Sequence, residues 1–411
     1  MQITDNFGQV VEYTPPLPPT QVLRSEHAYL MSHILADNEA RTPAFGPNSP
    51  AKVEISHLVL VQEDRALVDA FGQRIHGQWP GKITKEDTIK PEKMVTAPLR
   101  PDRNALGSWR GDKRYGASGF FQVQQNGDRW FLADPQGYPF WSIGVTGVRP
   151  ISEGNSLAGV SLVSGREHLF AELPHRNGPY AQAYQGADYI SFYAWNILRK
   201  YGSFEAWADQ TSERLQNWGI NTLGNWSHHT ILSRSRLPHT RTLRTTDLEA
   251  LTIHKNIRDV FDPAWATHVD SVFAAEAQPY AQDSLLIGYF VDNEQPWQNL
   301  ELLRAPKDRA LRKHWQAFVQ ERYPDLTLLN RAWNANFKEW EDVRYLAREH
   351  LPRGPHFQTD MEAFEARFAE QYFQTVRTLL KKHDPNHLYL GCRFTRRLPP
   401  APHRRDCRAI L

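Results

Sequence analysis

The sequence predicts an α/β protein built on a parallel sheet. Three observations predict it. Short apolar runs recur along the chain, amphipathic helical stretches lie between them, and Gly, Pro, Asn or Asp marks the junctions. The clearest run is residues 285–291, LLIGYFV, apolar throughout, as a strand covered on both faces must be.

The first hundred residues differ from the rest. Pro15–Pro16 and Pro18–Pro19 punctuate the start. Residues 52–60, KVEISHLVL, alternate in part and suit a strand. Residues 69–73, DAFGQ, and 79–83, WPGKI, add turns. Residues 1–100 are therefore expected to form a small β-rich domain. The polar stretch 84–118 carries Pro91, Pro98 and Pro101, and its part 101–118 reads as a surface linker.

The alternation begins at residue 119. Residues 121–123 and 130–132 form a hairpin about Asn126-Gly127, a two-residue turn signal, and residues 134–137, DPQG, a second turn. Residues 140–145, FWSIGV, read as a strand buried on both faces. A helix follows over 203–218, with Ser203 as N-cap and Gly219 just past its end. Residues 220–223 and 240–244 supply the next strands, followed by 285–291. A helix over 308–323 carries Leu311, Trp315, Phe318 and Arg322 on one stripe. Another over 361–382 places Phe364, Phe368, Tyr372, Val376 and Leu380 four residues apart. Lys381 and Lys382 suit its negative end, and Asp384-Pro385 stops it before a fifth strand over 388–392.

Composition narrows the function. Hydrophobic residues at 40% and charged residues at 23% are those of an ordinary globular chain able to bury a core. The net charge of +2 gives no reason to expect nucleic acid or an anionic membrane as partner. No apolar run is long enough to span a membrane. Two cysteines, Cys392 and Cys407, cannot build a disulfide framework or a four-thiolate zinc site. No cofactor motif occurs: there is no GxGxxG after a strand, no P-loop and no HExxH. The 13 tryptophans fit two readings, stacking on sugar rings or ordinary core packing.

The strongest chemical signal is Asp292-Asn293-Glu294, directly after the strand 285–291. Side chains at the C-terminal ends of parallel strands face the site of such folds. A carboxylic acid there, against low-dielectric walls, has its neutral form favoured and can protonate a leaving oxygen. Asn293 offers an amide for a sugar hydroxyl, and Trp297 a stacking wall. The plainer reading is a polar loop with Glu294 as a helix cap. His228 and His229 are adjacent, and neighbours in extended chain point apart, so no shared metal is expected.

Residues 288–297, GYFVDNEQPW, resemble the acid/base segment of glycoside hydrolase family 50, the β-agarases. Residues 131–137 with 140–149, FLADPQG and FWSIGVTGVR, are similar to its lead-in and first barrel strand, 218–226, WGINTLGNW, to its second, and 387–394, HLYLGCRF, to its fifth. Residues 71–73 and 79–83 resemble the border of its N-terminal carbohydrate-binding-like sandwich. The likeness runs over about residues 50–394. It implies a (β/α)8 TIM-type barrel of clan A at 119–394, preceded by a small β-sandwich-like domain. It implies retaining hydrolysis of β-galactosidic bonds in agarose or a related galactan, with a galactan polysaccharide or oligosaccharide as partner and a secreted or periplasmic location. The start, MQITDNFGQVVEY, shows no leader. The resemblance makes Glu294 the acid/base and Asn293 the contact to the hydroxyl beside the reacting carbon. Asn225, Trp226 and His228 would lie past strand two, and Arg393 at the end of strand five. Residues 330–333, NRAW, resemble the β-galactosidases of family 42 in the same clan.

The chain departs from that family in one respect. A retaining glycosidase uses a second carboxylate about 5–5.5 Å from the first, and in this clan it follows strand seven. Only five strands are counted, at 140–145, 220–223, 240–244, 285–291 and 388–392. The tail 395–411 holds five Arg and three Pro and no strand pattern. The expectation is a C-terminally truncated chain with impaired hydrolysis and two open sheet edges. Its alternatives are a non-catalytic glycan-binding relic and a β-galactosidase of the same clan.

Overall fold

Five parallel strands form the central sheet: Gly144–Val145 (β1), Thr222–Leu223 (β2), His239–Leu243 (β3), Leu286–Val291 (β4) and Leu388–Tyr389 (β5). They lie side by side in chain order, each hydrogen-bonded to the next. The structure, a computed structural model, describes residues 101–394 apart from 112–114, 153–158 and 296–298. It also describes residues 66–83 apart from 76, 80 and 81, and the paired strands Gln2–Thr4 and Val10–Tyr13. The expected strand at 52–60, the prolines at 15–19, Trp297 and the tail 395–411 lie outside the described residues.

The chain divides into two compact units, Met1–Thr84 with Ser161–Phe192, and Lys85–Val160 with Tyr193–Leu411. The division falls at 84 where the sequence reading put it at 100, and residues 161–192 leave the second unit. In the first unit, Asp69 organises a turn by accepting from the backbone N–H of Phe71 and Gln73. Val68 bridges both Arg74 and Phe170. Residues Ser161–Leu162, Tyr189–Ile190 and Tyr184–Gln185 make a small antiparallel sheet.

The second unit holds the parallel sheet and its helices. Before the sheet, Gln122–Asn126 pairs with Arg129–Ala133 as the expected hairpin. Asn126 faces Arg129, so the loop is Gly127-Asp128, one residue later than expected, with Gly127 at φ 58°. Asp134 then accepts from the N–H of Gln136 and Tyr138, closing the DPQG turn. Residues 101–118, expected as a linker, are tied to this hairpin. Asn104 donates to Asp134 at 2.6 Å, and the N–H groups of Trp109 and Tyr115 bond Pro139 and Gly137. The strand expected over 140–145 is corrected to Gly144–Val145. Pro139–Phe140 joins the hairpin instead, and Trp141 and Ile143 are exposed. With β2 on one side only, β1 is an edge strand among the described residues.

The helices follow from local chemistry. Phe192–Tyr201 (α1) and Phe204–Asn217 (α2) lead into β2, and Ser203 caps α2 by accepting from the N–H of Ala206. Gly219 at φ 78° ends the turn behind it. The short helix His229–Arg234 (α3) joins β2 to β3. Pro263–Glu276 (α4) starts at an Asp262 cap with proline in its first turn. Between β4 and β5 stand Ala310–Arg322 (α5), Leu326–Trp333 (α6), Trp340–Arg344 (α7) and Pro355–His383 (α8). The sequence places the start of α8 at 361; Pro355 at its first position begins it six residues earlier.

The core gathers these faces. Leu311, Trp315 and Phe318 of α5 are buried, as are Phe364, Phe368, Tyr372, Val376 and Leu380 of α8. Arg322, on the same α5 stripe, instead turns out to pair with Asp360 at 2.8 Å. Trp315 and Trp333 stack at 5.7 Å. Each such side chain contributes roughly 1.5–3 kcal/mol of burial. In β4, Gly288 allows close approach to β5, since an added Cβ would sit 2.2 Å from the carbonyl oxygen of Leu388. No helix among the described residues is long and apolar enough to cross a membrane.

Candidate functional site

After Val291 the chain turns through Asp292-Asn293-Glu294, and both carboxylate residues hold a left-handed backbone, φ 61° and 51°. A non-glycine residue there costs on the order of 1–3 kcal/mol and persists only where its surroundings enforce it. The surroundings are hydrogen bonds. The N–H of Asp292 bonds Leu243 of β3 at 2.8 Å, and that of Gln295 bonds the carbonyl of Arg393 at 2.9 Å. Gln295 also bridges Phe394, so the ladder between β4 and β5 resumes beyond the turn.

The side chain of Asp292 faces inward and is 3% exposed. One oxygen accepts from the N–H of Thr245 at 2.6 Å. The other accepts from the Thr245 hydroxyl at 2.6 Å and the Tyr372 hydroxyl at 2.7 Å. Burial pushes the Asp292 carboxyl up from its ordinary value, against the pull of these donors and of Arg258. Burial likewise raises Tyr372, with Asp292 adding to it. The sequence reading placed low-dielectric walls around Glu294; the structure corrects this. Glu294 is about half exposed, its side chain at 53%, and the desolvated carboxyl of the turn is Asp292.

Glu294 meets Arg393, Oε1 to Nη2 at 3.2 Å. The same guanidinium lies 5.4 Å from the ring centre of Trp226, itself at φ 61° and partly exposed. Three residues singled out from sequence, on three different strand ends, therefore converge. Asn293 Oδ1 is buried without a hydrogen-bond partner. Asn225 is buried, and its Oδ1 accepts from Thr240 of β3 at 2.6 Å. His228 is engaged elsewhere: it is 5% exposed and caps α3, its Nδ1 accepting from the N–H of Thr230. Its ring lies 4.1 Å from that of His229, so the expectation that the two point apart is corrected; the helix start turns both to one side. Among the described residues no group of three or more His, Cys, Asp or Glu side chains could hold a metal.

Sequence reasoning missed Thr245 and Tyr372. A hydroxyl two residues past β3 and a tyrosine in a helical stripe carry no signal until a buried carboxylate is placed between them. Strand ends carry further information. Thr146, Gly224, Arg244 and Leu390 follow the other four strands, so Asp292 and Glu294 are the carboxylates at the ends of the five described strands.

Comparison with known proteins shows what the chain resembles. A family described as β-galactosidase, glycoside hydrolase family 42, matches residues 248–392. β-Agarase B of Vibrio sp. (strain JT0107) is 26% identical over 383 residues, covering 80% of this chain and 40% of that protein. β-Agarase A of the same strain is 29% identical over 376 residues, covering 80% and 37%. The solved structure of an exo-β-agarase superposes with a TM-score of 0.69 at 23% identity, over 82% of this chain and 56% of that one. An agarase structure does so with 0.64 at 24%, over 82% and 55%. The fold is thus that of α/β glycosidases. Within that class the chain is similar to the β-agarases, and it spans about two-fifths of the length of the curated relatives it matches.

Proposed function

We propose that this chain is the acid/base-bearing part of a retaining glycoside hydrolase of β-agarase type, acting on β-galactosidic bonds of agarose or a related galactan. In this reading β1–β5 are the first five strands of a (β/α)8 barrel, and the N-terminal unit belongs to a small β-sandwich-like domain. A secreted or periplasmic location fits a polysaccharide substrate. The observation that carries the reading is the convergence of Glu294, Arg393 and Trp226 past the C-terminal ends of β4, β5 and β2, beside a buried and unpaired Asn293 amide oxygen.

The chemistry follows from those positions. A saccharide stacks on Trp226. Asn293 accepts from a sugar hydroxyl, and Asn225, bonded to Thr240, braces the strand-two side from beneath. Glu294 protonates the leaving oxygen and later, as carboxylate, activates the water that releases the sugar. Arg393 keeps the Glu294 carboxyl turned toward the cleft. The glycosyl-enzyme requires a second carboxylate, and none stands within three residues past the other four described strands. That observation favours a second reading, a glycan-binding relic that holds saccharide without cleaving it. Product formation from agarose oligosaccharides and simple galactosides, measured beside saccharide-dependent thermal stabilisation, separates the two. Stabilisation with products supports the enzyme, stabilisation without products the relic, and neither overturns both.

A further inference from the structure

We infer that Asp292, Thr245 and Tyr372 form a positioning clamp that sets where the Glu294 carboxyl stands, a reading that rests on Glu294 being the acid/base of the proposed hydrolase. Asp292 is two residues from Glu294 and is buried. Its carboxylate takes three hydrogen bonds of 2.6–2.7 Å from two other elements of the fold: Thr245 just past β3, and Tyr372 in the middle of α8. Its own N–H is bonded to the last residue of β3. The clamp thus ties β3, β4 and α8 at the point where the chain leaves the sheet.

Asp292 and Glu294 both sit at positive φ, with Asn293 between them. A left-handed pair of non-glycine residues relaxes unless it is held at both ends. One hold is the Asp292 clamp. The other is the bond from the N–H of Gln295 to Arg393. Between these two anchors the directions of Asn293 and Glu294 are fixed by the backbone. Glu294 itself is about half exposed, so packing does little to orient it. Asp292 is bonded by Thr245 and Tyr372, with the Arg258 charge acting on it from nearby, which suits a strut better than a group that exchanges protons with substrate.

The test uses conservative variants and reads Glu294 directly. Carbon-13 carboxyl NMR of glutamate-labelled protein, with the Glu294 signal assigned by its loss in Glu294→Gln, is followed in Tyr372→Phe and Thr245→Val. Tyr323→Phe is the control. Tyr323 also donates to a buried carboxylate, Asp360 at 2.7 Å, in a separate cluster. The clamp predicts a displaced Glu294 signal in both clamp variants and an unmoved one in the control, at similar losses of Tm. An unmoved signal in Tyr372→Phe and Thr245→Val, or an equal displacement in Tyr323→Phe, overturns it. The readout needs no substrate, so absence of Glu294-dependent hydrolysis sinks the hydrolase reading while this result is decided separately.

Discussion

Glu294 and Arg393 face each other across the ends of β4 and β5, 3.2 Å apart, because Gln295 and Phe394 continue the ladder beyond the turn. Both side chains are about half exposed, so the pair adds little to stability, about 0–1 kcal/mol. Its weight lies in orientation. Arg393→Met should leave Tm nearly unchanged and weaken oligosaccharide binding by roughly ten-fold, about 1.4 kcal/mol, since it removes both the partner of Glu294 and the cation beside Trp226. Calorimetric titration of wild type and variant checks it; equal affinities would detach Arg393 from the site.

Asp360 offers a contrasting buried carboxylate. It accepts from the Tyr323 hydroxyl and the Trp333 indole, each at 2.7 Å, and pairs with Arg322. Asp360→Ala strands two donors in the core and should cost about 2–4 kcal/mol. Urea unfolding measures it, and a loss below the effect of an ordinary surface substitution would contradict the assignment.

The N-terminal end of the sheet carries a pH dependence. Burial pushes the His239 imidazole down to about 4, with Arg241 and His387 acting the same way and the Asp283 carboxylate 3.5 Å away opposing it. The unfolded chain titrates near 6.5, so below that pH it binds a proton the folded chain refuses. Stability is therefore whole above pH 6.5 and is lost as pH falls toward 4, by roughly 3 kcal/mol at most. His239→Gln should flatten this slope in urea unfolding across that range. An unchanged slope would assign the acid sensitivity elsewhere.

Gly288 is placed where β4 and β5 approach most closely. Gly288→Ala puts a methyl 2.2 Å from the Leu388 carbonyl oxygen and should destabilise by about 1–3 kcal/mol, with β5 the first element to lose protection in hydrogen exchange. Uniform loss of protection across the sheet would argue against that local origin.

Much of this architecture was legible where one residue type settles the matter locally. Ser203 and Gly219 bound α2 on their own, and the fourfold step from Phe364 to Leu380 marks the buried face of α8. The run 285–291 announced β4 for the same reason. Residues 140–145 misled, because Trp141 and Ile143 are apolar yet stand exposed at an edge. The helix α4 was passed over although Asp262-Pro263 is a helix start, and its face shows only after Trp265, Val269 and Phe273 meet the core. Glu294, Arg393 and Trp226 were each visible singly. Their convergence, and the burial that falls on Asp292 instead of Glu294, depend on a register between strands far apart in sequence.

The central claim is that Glu294 delivers a proton to a galactoside leaving group. The direct measurement is oligosaccharide cleavage by this chain in formate, a small carboxylate able to attack the anomeric carbon where no carboxylate stands within three residues past the other four described strands. The account predicts only trace products without formate, at least ten-fold more with it, and loss of that gain in Glu294→Gln, a change of about 1.4 kcal/mol or more in barrier. Cleavage that survives Glu294→Gln unchanged, or saccharide bound but never cleaved in formate, would contradict it.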